Sequence, residues 1–145
     1  MPALTGRVAL VTGGGSGIGR ATALLFAREG AAIVAADKIG ERAEETARLV
    51  TEAGGKAVGV TADVSVAADV TAMVEAAVGA FGRVDILVNN AGLSVGDTVL
   101  DFDEAAWDLN IDVVLKSVYL CSRAVLPGMV ERRRGAICNL SLIHI

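Results

Sequence analysis

A glycine-rich segment near the amino terminus contains the residues best suited to chemistry. It reads TGGGSGIG over residues 12–19 and directly follows the apolar run at residues 8–11. Glycine permits a tight turn and a close approach of backbone to ligand, so Gly13, Gly17 and Gly19 suit a bound pyrophosphate. The following helix would direct its amino-terminal amides and positive dipole end at the phosphates. The segment therefore predicts a dinucleotide site.

A carboxylate stands at the distance that such a site requires. Asp37 ends the next apolar run, residues 31–36, and lies 18 residues after Gly19. An acid about 20 residues beyond the turn accepts hydrogen bonds from the adenosine ribose hydroxyls. Because a carboxylate repels a 2′-phosphate, Asp37 favours NAD over NADP. Lys38 would tolerate that phosphate, whereas Ser16 in the turn is not basic. The alternative is that Asp37 merely ends a strand.

Apolar strand patterns alternate with helical patterns along the chain. The predicted strands are residues 8–11, 32–36, 57–60, 84–89 and 136–140. The predicted helices are residues 16–29, 40–53, 67–81 and 104–123, with a short one at 127–132. This alternation predicts an α/β fold with a doubly wound, Rossmann-like parallel sheet and helices on both faces. We expect one domain over residues 1–145, with a sheet that is incomplete at its C-terminal edge.

Composition restricts the possible partners. The chain of 145 residues is 53% hydrophobic but only 3% aromatic, and its net charge is −4. This acidic balance leaves no basic surface for nucleic acid, and the run of arginines at 132–134 is typical of a helix end. We find no 18-residue apolar span and no leader with a cleavage site, so we expect no membrane association and a cytoplasmic protein.

The potential metal ligands are scattered. Cys121 and Cys138 are isolated and are expected to be buried, reduced thiols. His144 is the single histidine, and no Cys/His cluster has the spacing of metal ligands. We therefore predict that the chain binds no metal.

Several motifs together resemble the short-chain dehydrogenase/reductase family. Residues 12–19 match its TGxxxGIG turn, residues 63–64 are Asp-Val, residues 89–92 are NNAG, and residues 107–129 match its long helix. The resemblance extends to about Asn139. It implies an alcohol dehydrogenase or ketone reductase that transfers hydride between nicotinamide and a secondary alcohol or ketone carbon.

The resemblance also assigns cofactor-binding residues. Those expected along the pyrophosphate are Gly13, Gly15, Ser16, Gly17, Ile18 and Gly19. Asp63 would bind the adenine amino group with Val64 beside the ring, and the cofactor would pass along Asn90, Ala91 and Gly92. Without the resemblance, Asp63 could cap the third helix, and the adjacent asparagines at 89 and 90 could serve a turn.

The catalytic residues of the family match only in part. The family's long helix usually carries an asparagine of the proton relay, and this chain has Val114 at that position. Asn110 lies one turn earlier on nearly the same face and is a candidate substitute, although a local hydrogen-bonding role is favoured. The position of the substrate-polarising serine is Leu142. The family's Tyr-x-x-x-Lys does not occur in this chain. The one tyrosine, Tyr119, lies within the long helix and cannot be the missing acid.

The match fails abruptly after residue 139. The last six residues, LSLIHI, are what a transposon end sequence used in DNA library preparation would encode. Our hypothesis is therefore that residues 140–145 are a non-native tail, and that the chain is the cofactor-binding part of the enzyme without its catalytic segment. We expect this part to be inactive.

The full-length enzyme is expected to form a homo-oligomer through the long helix, with residues 93–99 contributing to the substrate site. Two other functions remain open. The first is a non-catalytic NAD(P)-binding or sensor module of the same fold. The second is an S-adenosylmethionine methyltransferase, against which the TGxxxGIG and NNAG motifs argue.

Overall fold

The computed structural model describes residues 2–95 and 98–141, and within them five parallel strands form one sheet. The strands are β1 (Val8–Thr12), β2 (Ala32–Asp37), β3 (Lys56–Thr61), β4 (Ile86–Asn89) and β5 (Ala136–Asn139). The helices are α1 (Gly17–Arg28), α2 (Gly40–Glu52), α3 (Ala67–Phe81), α4 (Glu104–Asn110) and α5 (Ser117–Glu131), with a π-helical segment, Ile111–Lys116, joining α4 to α5. The predictions that concern Leu142 and His144 lie outside the described residues.

The strand order is β3-β2-β1-β4-β5, and each neighbouring pair is parallel. This order confirms the doubly wound fold. The order reverses at β1, because the chain proceeds outward to β3 and then returns to place β4 on the other side of β1. Connections that leave such a point in opposite directions open a crevice at the carboxyl ends of the strands. The glycine turn after β1 and the NNAG segment after β4 both begin at this crevice.

Alternation along β1 divides the apolar residues between the two faces of the sheet. Val8 and Leu10 belong to one buried cluster, and Ala9 and Val11 belong to the other. The first cluster includes Met73 of α3 together with Cys121, Val125 and Met129 of α5. The second includes Ala23 of α1 and Val50 of α2. Two layers of helices therefore hold the sheet, as a parallel sheet requires.

The two cysteines lie in different environments. Cys121 is fully buried, and burial raises the pKa of its thiol to about 11. Cys138 is exposed, so the expectation of burial was wrong for this residue. The reason is that β5 lies at an edge of the sheet and has a neighbour on one side only.

The long helix differs from the sequence prediction. A break before a short second helix was expected near Pro127, but α5 continues through this proline to Glu131. Cys121 and Val125 before the proline and Met129 after it are all buried. We attribute the continuity to this packing, which offsets a cost of about 3 kcal/mol for proline inside a helix. The π-helical segment Ile111–Lys116 was not predicted either.

The same helix corrects an expectation drawn from hydropathy. Residues Glu104–Glu131 form one helix whose most apolar 18-residue window has a mean hydropathy of 1.4, so it could cross a membrane by length and composition. We had expected no such span. Core helices of soluble proteins meet the same criterion, which makes one such helix weak evidence. An apolar groove of about 880 Å³ runs along it, lined by residues that include Leu115, Tyr119 and Leu126.

Helix α1 packs unusually close to the end of β1. A Cβ atom built on Gly19 would collide with the Gly13 carbonyl oxygen and would lie 2.6 Å from Asn90 Nδ2. No side chain fits there unless backbone atoms move. Glycine at position 19 therefore permits α1 to begin immediately beside the strand, as expected for the last glycine of a dinucleotide-binding turn.

Replacing Gly19 by alanine should destabilise the fold, whereas the same change at Gly79 should not. Gly79 also lies within a helix, but nothing lies within 4 Å of its Cβ position. We expect Gly19→Ala to lower the free energy of unfolding by about 1–3 kcal/mol. Gly79→Ala should raise it by up to about 1 kcal/mol through helix propensity. Urea unfolding of both variants measures the difference, and equal effects would contradict the packing argument.

Candidate cofactor site

The glycine turn is held from the side of β2. Gly14 N–H donates to the Ala36 carbonyl at 2.9 Å, and Gly15 N–H donates to Asp37 Oδ2 at 3.0 Å. The carboxylate predicted for the ribose therefore also fixes the shape of the turn. The interpretation of Asp37 as merely ending a strand does not account for this contact.

Two further side chains, from α1 and α2, hydrogen-bond to the turn. The buried Thr46 hydroxyl on α2 donates to the Gly14 carbonyl at 2.9 Å. Arg20 Nε donates to the same hydroxyl oxygen at 3.1 Å, and Arg20 Nη2 donates to the Gly15 carbonyl at 2.5 Å. Sequence reasoning missed both residues. Thr46 lies on the apolar face of α2. A polar residue at a position that the helical pattern predicts to be buried could have indicated its role.

Asn90 joins the end of β4 to the end of β1. Its Nδ2 donates to the Thr12 carbonyl at 2.9 Å and to the Gly13 carbonyl at 3.3 Å. In the other direction, Thr12 Oγ1 accepts from the N–H groups of Asn90 and Ala91 at 3.1 and 3.0 Å. The Asn90 side chain thus orders the wall of the crevice. It does more than serve a local turn within NNAG.

The glycines of the turn have different surroundings. A Cβ at Gly13 would lie 2.8 Å from Asn90 Nδ2, and one at Gly15 would lie 2.6 Å from Asp37 Oδ2. Together with Gly19, these glycines are required by the protein's own packing. At Gly17 nothing lies within 4 Å, and φ is +48°, in the left-handed region that favours glycine. Gly17 is therefore the position in this set that faces open space.

The open space lies at the amino-terminal end of α1. Ser16 is exposed, has an extended backbone and makes no side-chain capping bond to the helix. The first amides of a helix have no acceptor within it, so the N–H groups of Gly17, Ile18 and Gly19 are available to an anion, whereas that of Arg20 donates to the Ser16 carbonyl. Ile18 beside them is 55% exposed. These features fit the phosphates of a dinucleotide.

Asp37 has a fixed orientation at the end of β2. One oxygen, Oδ2, accepts from Gly15 N–H, and the other, Oδ1, accepts from Ile39 N–H at 3.0 Å. A carboxylate oxygen can accept more than one hydrogen bond, so both retain capacity for hydroxyl donors. The arrangement holds a negative charge at one fixed place beside the turn.

Asp63 pairs with Lys38 across the ends of β2 and β3. Lys38 Nζ lies 2.7 Å from Asp63 Oδ2, and Ser65 donates to Asp63 Oδ1 through both its hydroxyl (2.6 Å) and its N–H (3.0 Å). The hydrogen bonds from Lys38 and Ser65 hold the pKa of the Asp63 carboxyl at about 2, well below its ordinary value. The cap of α3 is Val66, so the alternative that Asp63 caps this helix was wrong.

The remaining predicted binding residues differ in exposure. Val64 is 7% exposed, and its side chain packs in the cluster that contains Met73. Ala91 is half-buried against the same cluster, whereas Gly92 is exposed. The backbone after β4 therefore borders the crevice, and the Val64 side chain contributes mainly to the core.

Asn110 makes local hydrogen bonds. Its Nδ2 donates to the Ala106 carbonyl at 2.8 Å and to the Val95 carbonyl at 3.3 Å, and its Oδ1 accepts from Val95 N–H at 3.4 Å. It ties the long helix to the loop after β4, which includes two residues, 96 and 97, outside the described part. Val114, at the family's asparagine position, is 47% exposed in the π-helical segment.

Two other chemical possibilities receive no support. Tyr119 accepts a hydrogen bond from Arg123 at 2.7 Å and lines the apolar groove of the long helix rather than the crevice. Within residues 2–95 and 98–141, no group of three or more His, Cys, Asp or Glu side chains is placed to hold a metal ion.

Comparisons with known proteins agree with the geometry of the crevice. The family model described as short chain dehydrogenase matches residues 7–143. The dehydrogenase subunit BbsD of Thauera aromatica is 44% identical over 93% of this chain and 54% of its own length. The 3-oxoacyl-acyl-carrier-protein reductase FabG of Thermotoga maritima is 38% identical over 97% of this chain and 57% of its own. The 2-(S)-hydroxypropyl-CoM dehydrogenase 3 of Xanthobacter autotrophicus is 41% identical, with coverage of 97% and 55%.

Solved structures show the same similarity. A short-chain dehydrogenase/reductase from Burkholderia xenovorans has a TM-score of 0.89 and 39% identity, over 94% of this chain and 56% of that one. The chain thus spans about half the length of the relatives it matches. These matches overturn the methyltransferase alternative. With the parallel sheet, the glycine turn and the acid beside it, they establish that the chain belongs to the short-chain dehydrogenase family, whose members are oxidoreductases.

Proposed function

We propose that this chain is the cofactor-binding part of an NAD-dependent oxidoreductase that interconverts secondary alcohols and ketones. The observation that carries the proposal is the Asp37 carboxylate, held at the end of β2 by backbone donors from Gly15 and Ile39. A carboxylate at this position accepts from the adenosine ribose hydroxyls. The nicotinamide, when bound, supplies the hydride acceptor or donor.

Each part of the crevice has a role in this proposal. The pyrophosphate would lie over Ser16, Gly17 and Ile18, where helix amides and exposed side chains meet. The close packing that Gly13, Gly15 and Gly19 permit would hold the backbone of the turn beside it. The rest of the dinucleotide would contact residues that follow β3 and β4, namely Asp63, Val64, Asn90, Ala91 and Gly92.

The preference for NAD over NADP rests on charge. A 2′-phosphate would approach the fixed negative charge of Asp37, and residues 12–19 of the turn include no lysine or arginine, position 16 being serine. The Arg20 guanidinium beside the turn is engaged with the Gly15 carbonyl and the Thr46 hydroxyl. Lys38 is the nearest candidate cation by sequence, but its ammonium group pairs with Asp63. Both features support NAD.

The substrate class is proposed from the relatives. Their names include a 3-oxoacyl reductase and a 2-hydroxypropyl dehydrogenase, so both act at a hydroxyl or oxo carbon. A secondary alcohol or ketone is therefore proposed for the protein to which this chain belongs. The loop at residues 93–99 would contribute to the substrate site.

The second candidate function is a cofactor-binding module without catalysis. Val114 replaces the asparagine that the family uses, and Asn110 is engaged with Val95 and Ala106.

We further propose that residues 1–145 act as one domain and that residues 140–145 are a non-native tail. We also propose that the enzyme is a cytoplasmic homo-oligomer joined through the apolar groove of the long helix.

Removing the charge of Asp37 should weaken the preference for NAD. In Asp37→Asn the amide oxygen still accepts one backbone bond, but the repulsion of a 2′-phosphate is lost. We expect the ratio of NADP to NAD dissociation constants to fall about tenfold, or about 1.4 kcal/mol. Titration calorimetry with both cofactors measures this. Asp112→Asn, on the long helix, is the charge-matched control and should leave the ratio unchanged. Tighter binding of NADP than of NAD by the unmodified chain would refute the NAD assignment.

The 145-residue chain should bind NAD without catalysing its reduction. It contains no Tyr-x-x-x-Lys, and its one tyrosine, Tyr119, lies on the groove of the long helix. We expect saturable NAD binding but no increase in absorbance at the wavelength of reduced nicotinamide with a panel of secondary alcohols. Sustained turnover with any of these alcohols would contradict the assignment of the chain as a cofactor-binding part alone.

A further inference from the structure

We propose that Lys38 determines cofactor affinity by competing with the adenine amino group for the Asp63 carboxylate. This inference rests on the proposed binding of NAD and adds a residue to that site. The family resemblance gives Asp63 a role toward adenine but gives none to Lys38. The competition arises because the carboxylate already has a cationic partner within the chain.

Both carboxylate oxygens of Asp63 have partners. Ser65 donates twice to Oδ1, through its hydroxyl and its N–H, and Lys38 Nζ lies 2.7 Å from Oδ2. The oxygen that does not accept from Ser65 is thus the one that Lys38 contacts. An adenine amino group that approaches this oxygen must share it with the ammonium group or displace it.

The backbone brings the two residues close together. Asp37 pairs with Thr61 at the end of the β2–β3 ladder, and Ala62 N–H donates to the Asp37 carbonyl at 3.0 Å. Lys38 is therefore one residue, and Asp63 two residues, beyond the last paired positions. The pairing of the two strand ends places them within reach of each other.

The difference in exposure makes displacement feasible. The Lys38 side chain is 74% exposed, whereas that of Asp63 is 21% exposed. A lysine on a flexible stem can return to water at small cost, because exposed ion pairs are weak. Asp63 stays in place through Ser65. We therefore expect Lys38 to reduce NAD affinity several-fold without preventing binding.

The chemistry of the base provides a test of the competition. The adenine amino group donates hydrogen bonds, whereas the C6 oxygen of hypoxanthine accepts them. A dinucleotide with hypoxanthine in place of adenine cannot donate to Asp63 from that position, and its oxygen can instead accept from the Lys38 ammonium group. Removal of Lys38 should therefore favour NAD but should not favour nicotinamide hypoxanthine dinucleotide.

The experiment compares the 145-residue chain with its Lys38→Met variant, using calorimetry with both dinucleotides. We divide the dissociation constant of the hypoxanthine analogue by that of NAD. In Lys38→Met we expect this ratio to rise about three- to tenfold. The ratio of the two dissociation constants removes any general effect of lost positive charge. Lys56→Met is the matched control, because Lys56 begins β3 at the opposite end of the same strand pair. It should leave the ratio unchanged.

A second readout does not depend on the cofactor. The Lys38 ammonium group, together with the hydrogen bonds from Ser65, lowers the pKa of Asp63 to about 2. The contribution of this pair to stability is present above the unfolded pKa and is lost as pH falls toward 2. In Lys38→Met we expect the pKa of Asp63 to rise toward its ordinary value, measured by carboxyl chemical shifts. An unchanged pKa would show that the pair does not form, and would overturn the inference.

The possible failures can be told apart. If the unmodified chain binds neither dinucleotide, the proposed function fails. If it binds NAD but Lys38→Met leaves the NAD-to-analogue ratio unchanged, or tightens both ligands equally, the proposed function stands and the competition is refuted.

Discussion

The site depends on the hydrogen bonds between the ends of β1 and β4, two strands that are neighbours in space but not in sequence. Thr12 and Asn90 are 78 residues apart in the chain. Strand pairing between β1 and β4 ends at Val11 and Val88. Beyond it, the side chain of each residue bonds the backbone of the other strand. The two segments can then diverge without leaving unpaired backbone groups, and this divergence opens the crevice.

Charge is arranged around the same crevice in a compact group. Asp37 ends β2 and Asp63 follows β3, and Lys38, next to Asp37 in the chain, pairs with Asp63. The two acids differ in their partners. Asp37 is held by backbone N–H groups, whereas Asp63 is held by Ser65 and by an exposed cation. The first charge is therefore part of the fold, and the second is partly neutralised by an exposed lysine.

Much of the fold could be predicted because it follows local rules. The bounds of α3 were predicted as residues 67–81, since a left-handed Gly82 ends the helix. The parallel, doubly wound sheet followed from the alternation of elements, whereas the strand order β3-β2-β1-β4-β5 was not predicted. Other features depend on contacts distant in sequence. The passage of α5 through Pro127 requires buried residues on both sides of the proline, and the exposure of Cys138 depends on which strands surround β5.

The candidate site shows the same division. The glycine turn and Asp37 have a recognisable spacing, and they were predicted as a unit. Thr46 has none, because its contacts with the turn and with Arg20 arise only when α2 packs beside α1. Lys38 and Asp63 are 25 residues apart in the sequence, and the pairing of β2 with β3 brings them together. Residue type indicates that such groups can interact, but strand pairing decides that they do.

The glycine turn has a consequence for the thermodynamics of recognition. Its carbonyl and amide groups already bond to Thr46, Arg20, Asp37 and Asn90, and three of its glycines pack against the protein. The loss of conformational entropy in this loop is therefore incurred during folding and not again on association. A ligand that meets such a preorganised surface retains more of its contact energy as affinity. The rigidity of the turn is thus itself a determinant of binding strength.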